Sequence, residues 1–137
     1  MQVTHEFGLP VRKTTGSCGY DLVTPIDLVL HRGHWNDISL GLKMDRGDIP
    51  EGYFGLIVPR SSTGFKYGLR LKNTIGIIDS SYTMDYIHAS LTVDVDKIEF
   101  PAGTRILQMI LVPYGVIPSE IPPVEERTGG RGSTGER

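Results

Sequence analysis

Glycine and proline divide this chain into short segments, and this limits its possible folds more than any other feature. The 17 glycines and 9 prolines are spread through all 137 residues. Glycine weakens helices through its backbone freedom, and proline breaks them because it has no N–H to donate. No segment of about 12 or more residues carries an apolar stripe at helical spacing. We therefore expect an all-β protein, with a helical turn only in "SSTGFKYG".

The segments between these breaks have the patterns of short strands. In "ISLGLKM", residues 38–44, apolar residues alternate with polar or small ones, as in a half-buried strand. "HASLTVDV" alternates in the same way, whereas "YFGLIVP" and "RILQMILVP" are apolar runs that end at proline, as buried strands do. "IDLVLH" and "EFPAGT" read as a strand and a turn. Many short strands separated by turns predict a sandwich, jelly roll or barrel.

Composition and charge exclude several classes of protein. The chain is 39% apolar, enough for one domain with one core. A net charge of -2 gives no field for stable nucleic-acid binding, and no apolar run approaches the roughly 20 residues that span a membrane. Cys18 is the only cysteine, so neither an intrachain disulfide nor a cysteine zinc site can form. "MQVTHEFGLP" does not have the pattern of a signal peptide, so we expect a cytoplasmic protein, or one in the host cytoplasm if it is viral.

The last part of the chain differs from the rest. After Pro113 come further prolines, then charged residues and a cluster of glycines, with few apolar residues to bury. We expect a β domain over residues 1–117 and an extended arm with a glycine-rich tail over residues 118–137.

Two stretches place polar groups at the boundaries of predicted strands. In "SCGYDL", Asp21 stands at the start of a strand, where an aspartate most often caps a turn. In "PRSSTGFKYG", Arg60 and two serines follow directly after a strand. Guanidinium and hydroxyl groups suit phosphate oxygens, although a polar turn would have the same residues.

Three further stretches carry candidate chemistry. In "IGIIDSSYTM", Asp79 is either the turn residue of a hairpin or an acceptor of a proton from water, Gly76 permits close approach to the backbone, and Tyr82 can stack on a ring. In "RILQMI", Arg105 and Gln108 are polar within a core-like strand, and their opposite parity does not decide which face they occupy. "RTGGRGSTGER" could wrap a polyphosphate, but it lacks a P-loop lysine and taken alone reads as a disordered tail. The four histidines show no metal-ligand spacing.

The order of these stretches is more specific than any one of them. "GYDL", "PRSS", "NTIGIIDSSY", "RILQMILVP" and "GGRGSTG" closely resemble the five ordered motifs of the trimeric dUTP diphosphatase (dUTPase) family. The resemblance runs from about residue 9 to residue 135, and it is most specific in the third motif, where Asn73, Gly76, Asp79 and Tyr82 all have the family's spacing.

The resemblance implies a fold, an assembly and a reaction. The fold is the all-β dUTPase-like jelly roll, or β-clip, with a flexible C-terminal arm. The assembly is a homotrimer whose three sites are each built from all three subunits, with the third-motif hairpin supplied by a neighbour and the tail by the third chain. The reaction is Mg²⁺-assisted attack of water on the α-phosphorus of dUTP. It yields dUMP and diphosphate, which keeps uracil out of DNA and supplies dUMP for dTMP synthesis.

The resemblance also implies residue roles. Asp79 corresponds to the base that activates the attacking water. The uracil and deoxyribose contacts correspond to Asn73, Gly76, Ile77, Ile78, Tyr82 and Ile87. Asp21 and Gln108 correspond to groups that hold Mg²⁺ through waters. The phosphate contacts correspond to Arg60, Ser61, Ser62, Gln108, Arg127, Arg131, Gly132, Ser133 and Thr134.

The sequence departs from the family pattern at three places. Ser62 stands where the family usually has glycine, and Thr83 and Met84 replace a basic or polar residue and a glycine. Arg131 stands in "GGRG" where the family has "GGFG". A guanidinium can stack on a base, as the phenylalanine does, or turn toward phosphate.

Two alternative functions share the predicted fold. A dCTP deaminase, including its bifunctional form, also has an "RSS"-like motif, but it needs a glutamate as general acid and base, and "DYIHASL" after the third motif has none. A non-catalytic trimer that binds a protein partner is the second alternative. Such a scaffold would have no need of Asp21, Asp79, Tyr82 and Gln108 together.

Overall fold

Short antiparallel strands form nearly all of the regular structure. The computed structural model describes residues 1–82, 85–124 and 135. Within these residues the elements are β1 (Gln2–Val3), β2 (Gly19–Val23), β3 (Leu28–His31), β4 (Asn36–Lys43), β5 (Tyr53–Pro59), α1 (Ser61–Tyr67), β6 (Arg70–Leu71), β7 (Gly76–Asp79), β8 (Tyr86–Thr92), β9 (Lys97–Phe100) and β10 (Arg105–Pro113). The all-β prediction is confirmed, and α1 forms where a helical turn was expected.

The strands form two four-stranded sheets and a two-stranded ribbon. One sheet has the order β1-β4-β8-β6, the other has the order β2-β10-β5-β7, and β3 pairs with β9. All of these pairings are antiparallel. The strand β10 therefore lies between β2 and β5, and this brings Gln108 of β10 beside Asp21 of β2 and close to the end of β5.

The two sheets bury their inner faces against each other in one core. Leu40 and Leu91 come from the first sheet and Ile57 and Leu107 from the second, and all belong to the same buried cluster. Leu91 and Leu107 are fully buried. The alternation in β4 has the predicted phase, with Ile38, Leu40 and Leu42 inside, because successive side chains of a strand point to opposite faces.

The third-motif segment, residues 73–82, is not the hairpin that the sequence predicted. Its strand β7 pairs with β5, while β6 before it and β8 after it both belong to the other sheet. The segment therefore crosses between sheets within the described residues. The turn that the local pattern predicted after Asp79 does form, since the Tyr82 N–H donates to the Asp79 carbonyl at 3.0 Å. The local pattern could not encode which strand β7 would pair with.

After β10 the chain leaves the core. The Tyr114 N–H still donates to the Gly52 carbonyl at 3.0 Å, but residues 115–124 are exposed throughout. Ile121 and Val124 are each 94% exposed. Apolar side chains at such positions gain nothing from folding of this protomer alone. No helix in the described part of the chain has the length and apolar character that crossing a membrane requires.

Candidate active site

Asp21 and Gln108 lie side by side on neighbouring strands. They are directly paired in the register of β2 and β10, so their side chains point to the same face of the sheet. The Gln108 Nε2 donates to the Pro59 carbonyl at 3.2 Å. A Cβ at Gly19 would overlap the Gln108 amide oxygen, so the absence of a side chain at Gly19 creates the space that Gln108 occupies.

A β-bulge brings Arg105 to the same carboxylate. The register of β10 against β2 shifts between Arg105 and Leu107, and the extra residue changes which face the following positions occupy. As a result Arg105 and Gln108, which have opposite parity in the sequence, both lie beside Asp21. Arg105 had no predicted role. Its only signal in the sequence was a charge in an otherwise apolar strand.

Asp21 is held between two guanidinium groups. Its Oδ1 lies 2.9 Å from the Arg60 Nε, and its Oδ2 lies 3.3 Å from the Arg105 Nη1. The Asp21 side chain is only 11% exposed. The two arginines are also linked, because the Arg60 Nη1 donates to the Arg105 carbonyl at 3.3 Å. The carboxylate and both guanidinium groups therefore have fixed orientations before any ligand binds.

The end of β5 and the start of α1 place Arg60 and Ser61. Strand β5 ends at Pro59 and α1 begins at Ser61. The buried Thr63 hydroxyl lies 3.1 Å from the Arg60 carbonyl and 2.8 Å from the Ile106 carbonyl. These contacts fasten the first turn of the helix to β10 and so hold the "PRSS" stretch against the Asp21–Gln108 pair.

These side chains share one cavity of about 320 Å³. Four predicted residues line it, namely Asp21, Arg60, Ser61 and Gln108. Ser62 is exposed on α1 and is not among the lining residues. The rest of the wall comes from Gly19 in β2 and from the loop before it, which supplies Lys13 and Cys18, neither of them predicted for the site.

The donor set of this cavity fits Mg²⁺ held through water. A carboxylate and an amide oxygen are hard oxygen donors, and Mg²⁺ keeps several of its waters when few protein groups and the phosphates of a substrate bind it. The described residues contain no cluster of three histidine, cysteine or acidic side chains that could enclose a metal ion. The cavity therefore suits an ion that arrives with phosphate groups and contacts Asp21 and Gln108 indirectly.

The third-motif segment presents several polar and backbone groups on the surface. Asn73 and Asp79 are exposed, and Ile77 is 53% exposed, whereas Ile78 is buried. Gly76 packs against the neighbouring strand, where an added Cβ would lie 3.0 Å from the Cβ of Ile57. Packing within the protomer therefore already favours a glycine there.

A strained turn precedes β7. Thr74 has a φ of 69°, and the Ile75 N–H donates to the Asn73 carbonyl at 2.8 Å, which together define a γ-turn. A positive φ is unusual for a β-branched residue. The turn fixes the backbone of Asn73, and nothing in the sequence indicated it.

Tyr82 and Ile87, like Ile78, were predicted to contact the nucleoside but are buried in the protomer. Tyr82 is 6% exposed, and its hydroxyl donates to the Tyr86 carbonyl at 2.8 Å. Ile87 is 1% exposed. The side chain of Ile87 therefore offers almost no surface to a ligand, and Tyr82 offers little. Both belong to the core cluster.

One protomer does not bring Asp79 to the cavity. Asp79 is paired with Phe54, near the start of β5, while Arg60 follows Pro59 at its far end. At about 3.3 Å per residue, the strand separates Asp79 from Arg60 by roughly 20 Å. A side chain cannot span that distance. The predicted tail contacts Arg127, Arg131, Gly132, Ser133 and Thr134 lie outside the described residues, as do Thr83 and Met84.

Comparison with known proteins gives one consistent answer. The sequence profile of the family described as dUTPase matches residues 5–135. The deoxyuridine 5'-triphosphate nucleotidohydrolase of Pseudomonas syringae pv. tomato is 35% identical to this chain over an alignment of 142 residues. The alignment covers 98% of this chain and 91% of that protein.

Solved structures agree with the sequence comparison. The crystal structure of the dUTPase from Streptococcus mutans has a TM-score of 0.70 at 28% identity and covers 84% of this chain and 92% of its own. A variant of the dUTPase from phage phi11 of S. aureus, described with a coordinated structural Mg(II) ion, has a TM-score of 0.71 over 91% of this chain and 95% of its own. Its identity is 22%, so that likeness shows the fold alone. The predicted dUTPase-like jelly roll is confirmed.

Proposed function

Since the chain belongs to the dUTPase family, we propose that it hydrolyses dUTP to dUMP and diphosphate with Mg²⁺ as its cofactor. The observation that carries this proposal at the level of the site is the shared cavity of Asp21, Arg60, Ser61 and Gln108. It combines two kinds of group that a metal–triphosphate ligand requires, oxygen donors for the hydrated ion and cationic or hydroxyl donors for the phosphates.

In the proposed mechanism the cavity binds the phosphate chain. The Arg60 guanidinium and the Ser61 hydroxyl donate to phosphate oxygens, with Ser61 toward the oxygen that leaves the α-phosphorus, where negative charge develops. Asp21 and Gln108 would hold Mg²⁺ through its waters, as hydrogen-bond acceptors. When bound, Mg²⁺ neutralises phosphate charge and orients the chain for in-line attack. The arginine pair on Asp21 keeps this carboxylate in place without a ligand.

Asp79 is the proposed general base. An exposed carboxylate at the end of β7 can accept a proton from the attacking water once a substrate covers it. Because Asp79 lies roughly 20 Å along β5 from Arg60 in its own protomer, we assign the two to different subunits of one site. A ring of three identical chains repeats this heterologous contact three times. This supports the homotrimer.

The third-motif segment is the proposed reader of uracil and deoxyribose. The Asn73 side chain and the backbone from Gly76 to Ile78 supply donors and acceptors for the edge of the base. The γ-turn at Thr74 and the pairing of β7 with β5 hold that backbone rigid. We assign Tyr82 to the floor under the sugar, with Ile87 supporting it from the core rather than touching the nucleoside.

The arm and tail complete the proposal. Residues 115–124 leave their apolar side chains exposed, which supports their packing against a neighbouring subunit in the trimer. The tail would then bring Arg127, Arg131, Gly132, Ser133 and Thr134 over the phosphates of that subunit's substrate and exclude water.

We place the protein in the cytoplasm, where its unpaired, exposed Cys18 would stay reduced.

A nucleotide panel tests the function. Purified protein with Mg²⁺ is incubated with dUTP, dCTP and dTTP, and both diphosphate and ammonia are measured. We expect diphosphate from dUTP far faster than from the other two. Intact dUTP would refute the proposal and favour a non-catalytic trimer, and ammonia from dCTP would instead identify a deaminase.

A further inference from the structure

The loop before β2 forms a wall of the phosphate cavity that the proposed mechanism leaves without a role. We propose that Lys13, on this loop, is an additional cationic ligand for the phosphate chain of the nucleotide. The inference rests on the proposed function for the identity of the substrate. It rests on the cavity alone for the chemistry of the ligand, a chain of linked phosphates.

The loop holds Lys13 at the cavity by contacts of its own. The Arg12 Nη1 donates to the carbonyls of Thr15 and Ser17 at 3.3 Å and 3.1 Å, and the Ser17 N–H donates to the Thr14 carbonyl at 3.0 Å. The hydroxyls of Thr14 and Ser17 lie 2.6 Å apart. The guanidinium of Arg12 is therefore used to close the loop, whereas Lys13 lines the cavity.

The charges around the cavity favour an anion with several charges. Among the residues that the structure describes, Asp21 is the only acidic one in the cavity wall, and two arginines, Arg60 and Arg105, share that one carboxylate. Lys13 takes part in no salt bridge within the described residues. The positive charge around this cavity thus exceeds the negative charge that neutralises it, and the negative charge of a triphosphate would balance the excess.

A lysine at this position has a specific consequence for affinity. Its ammonium is a compact charge on a flexible stem, so it can follow phosphate oxygens without the geometric demands of a guanidinium fork. Lys13 is exposed, and in the described part of the chain it has no salt bridge that a ligand would have to break. Its contribution should grow with the number of phosphates, and the affinity for a monophosphate should depend on it least.

The test compares Lys13→Ala with two other variants. Lys13→Arg keeps the charge, and Lys97→Ala removes an exposed lysine on β9, away from the cavity. Calorimetry measures the affinity of the full-length protein for inorganic triphosphate and for dUMP at low and high salt, and steady-state kinetics give KM and kcat for dUTP.

We expect Lys13→Ala to weaken triphosphate binding and to raise KM for dUTP by about tenfold, since a charged hydrogen bond is lost. The affinity for dUMP and kcat should change little, Lys13→Arg should recover most of the loss, and Lys97→Ala should match the parent. Wild-type affinity for triphosphate in folded Lys13→Ala, or an equal loss in Lys97→Ala, would overturn the proposal. If the parent fails to hydrolyse dUTP but its triphosphate affinity still depends on Lys13, the function fails and the ligand role of Lys13 stands.

Discussion

Two inactive variants of this chain should recover activity when their subunits are mixed. Asp79→Asn removes the proposed base, and Arg60→Gln removes a phosphate contact. In one protomer the two residues lie roughly 20 Å apart along β5, so the proposed site would take Asp79 from one subunit and Arg60 from another. A mixed trimer can therefore contain a site in which both residues are intact.

The geometry sets the size of the recovery. In trimers formed at random from equal amounts, the subunit that supplies Asp79 to a site is the Arg60→Gln variant in about half of the cases. The subunit that supplies Arg60 is the Asp79→Asn variant in about half. Hence about a quarter of all sites are intact, and the mixture should have about a quarter of the parental activity.

The assay is diphosphate release from dUTP after the two variants are unfolded and refolded together. Each variant carries a different affinity tag, so that capture on both tags in turn proves that mixed trimers formed. Each variant refolded alone is the control. Doubly tagged trimers with no more activity than the separate variants would refute the assignment of Asp79 and Arg60 to different subunits.

Four other changes test the remaining assignments. Asp79→Asn should lower kcat by about 1,000-fold, with calorimetric affinity for dUTP nearly kept, and unchanged turnover would remove Asp79 from its role. Chelation with EDTA should stop diphosphate release, and added Mg²⁺ should restore it; turnover that persists without metal ions would contradict the cofactor. Gly19→Ala should displace Gln108 and lower kcat/KM for dUTP by about tenfold, whereas Gly64→Ala, where an added Cβ would make only an ordinary van der Waals contact, should match the parent. Equal values for Gly19→Ala and the parent would contradict the role of Gln108 at this position. Leu91→Ala, at a fully buried position, should lower the free energy of unfolding by about 3 kcal/mol in denaturant titrations at fixed protein concentration, and a loss below about 1 kcal/mol would argue against this core.

The amino-acid sequence alone was sufficient for the longer strands and for four of the residues that line the cavity. The stretch "RILQMILVP" predicted a buried strand, and β10 has the same bounds, Arg105–Pro113. The alternation in residues 38–44 predicted the inner face of β4. Both patterns are local, because the side-chain period of a strand is set by its own backbone. The order of the five motifs is also a property of the linear chain, and it was sufficient to identify the family.

Only the tertiary structure decided which of these local elements meet. The bulge in β10 that turns both Arg105 and Gln108 toward Asp21 depends on pairing with β2, which is more than 80 residues away along the chain, as the contact between Asp21 and Arg105 shows. Contacts between distant segments also determine three other features. These are the pairing of β7 with β5 instead of a hairpin, the burial of Tyr82, and the distance between Asp79 and Arg60. Periodicity specifies which face of a strand is buried, but register and partner are chosen by packing against the whole core. The local sequence therefore predicted the components of the site, and the pairing of distant strands determined which of them one subunit can bring together.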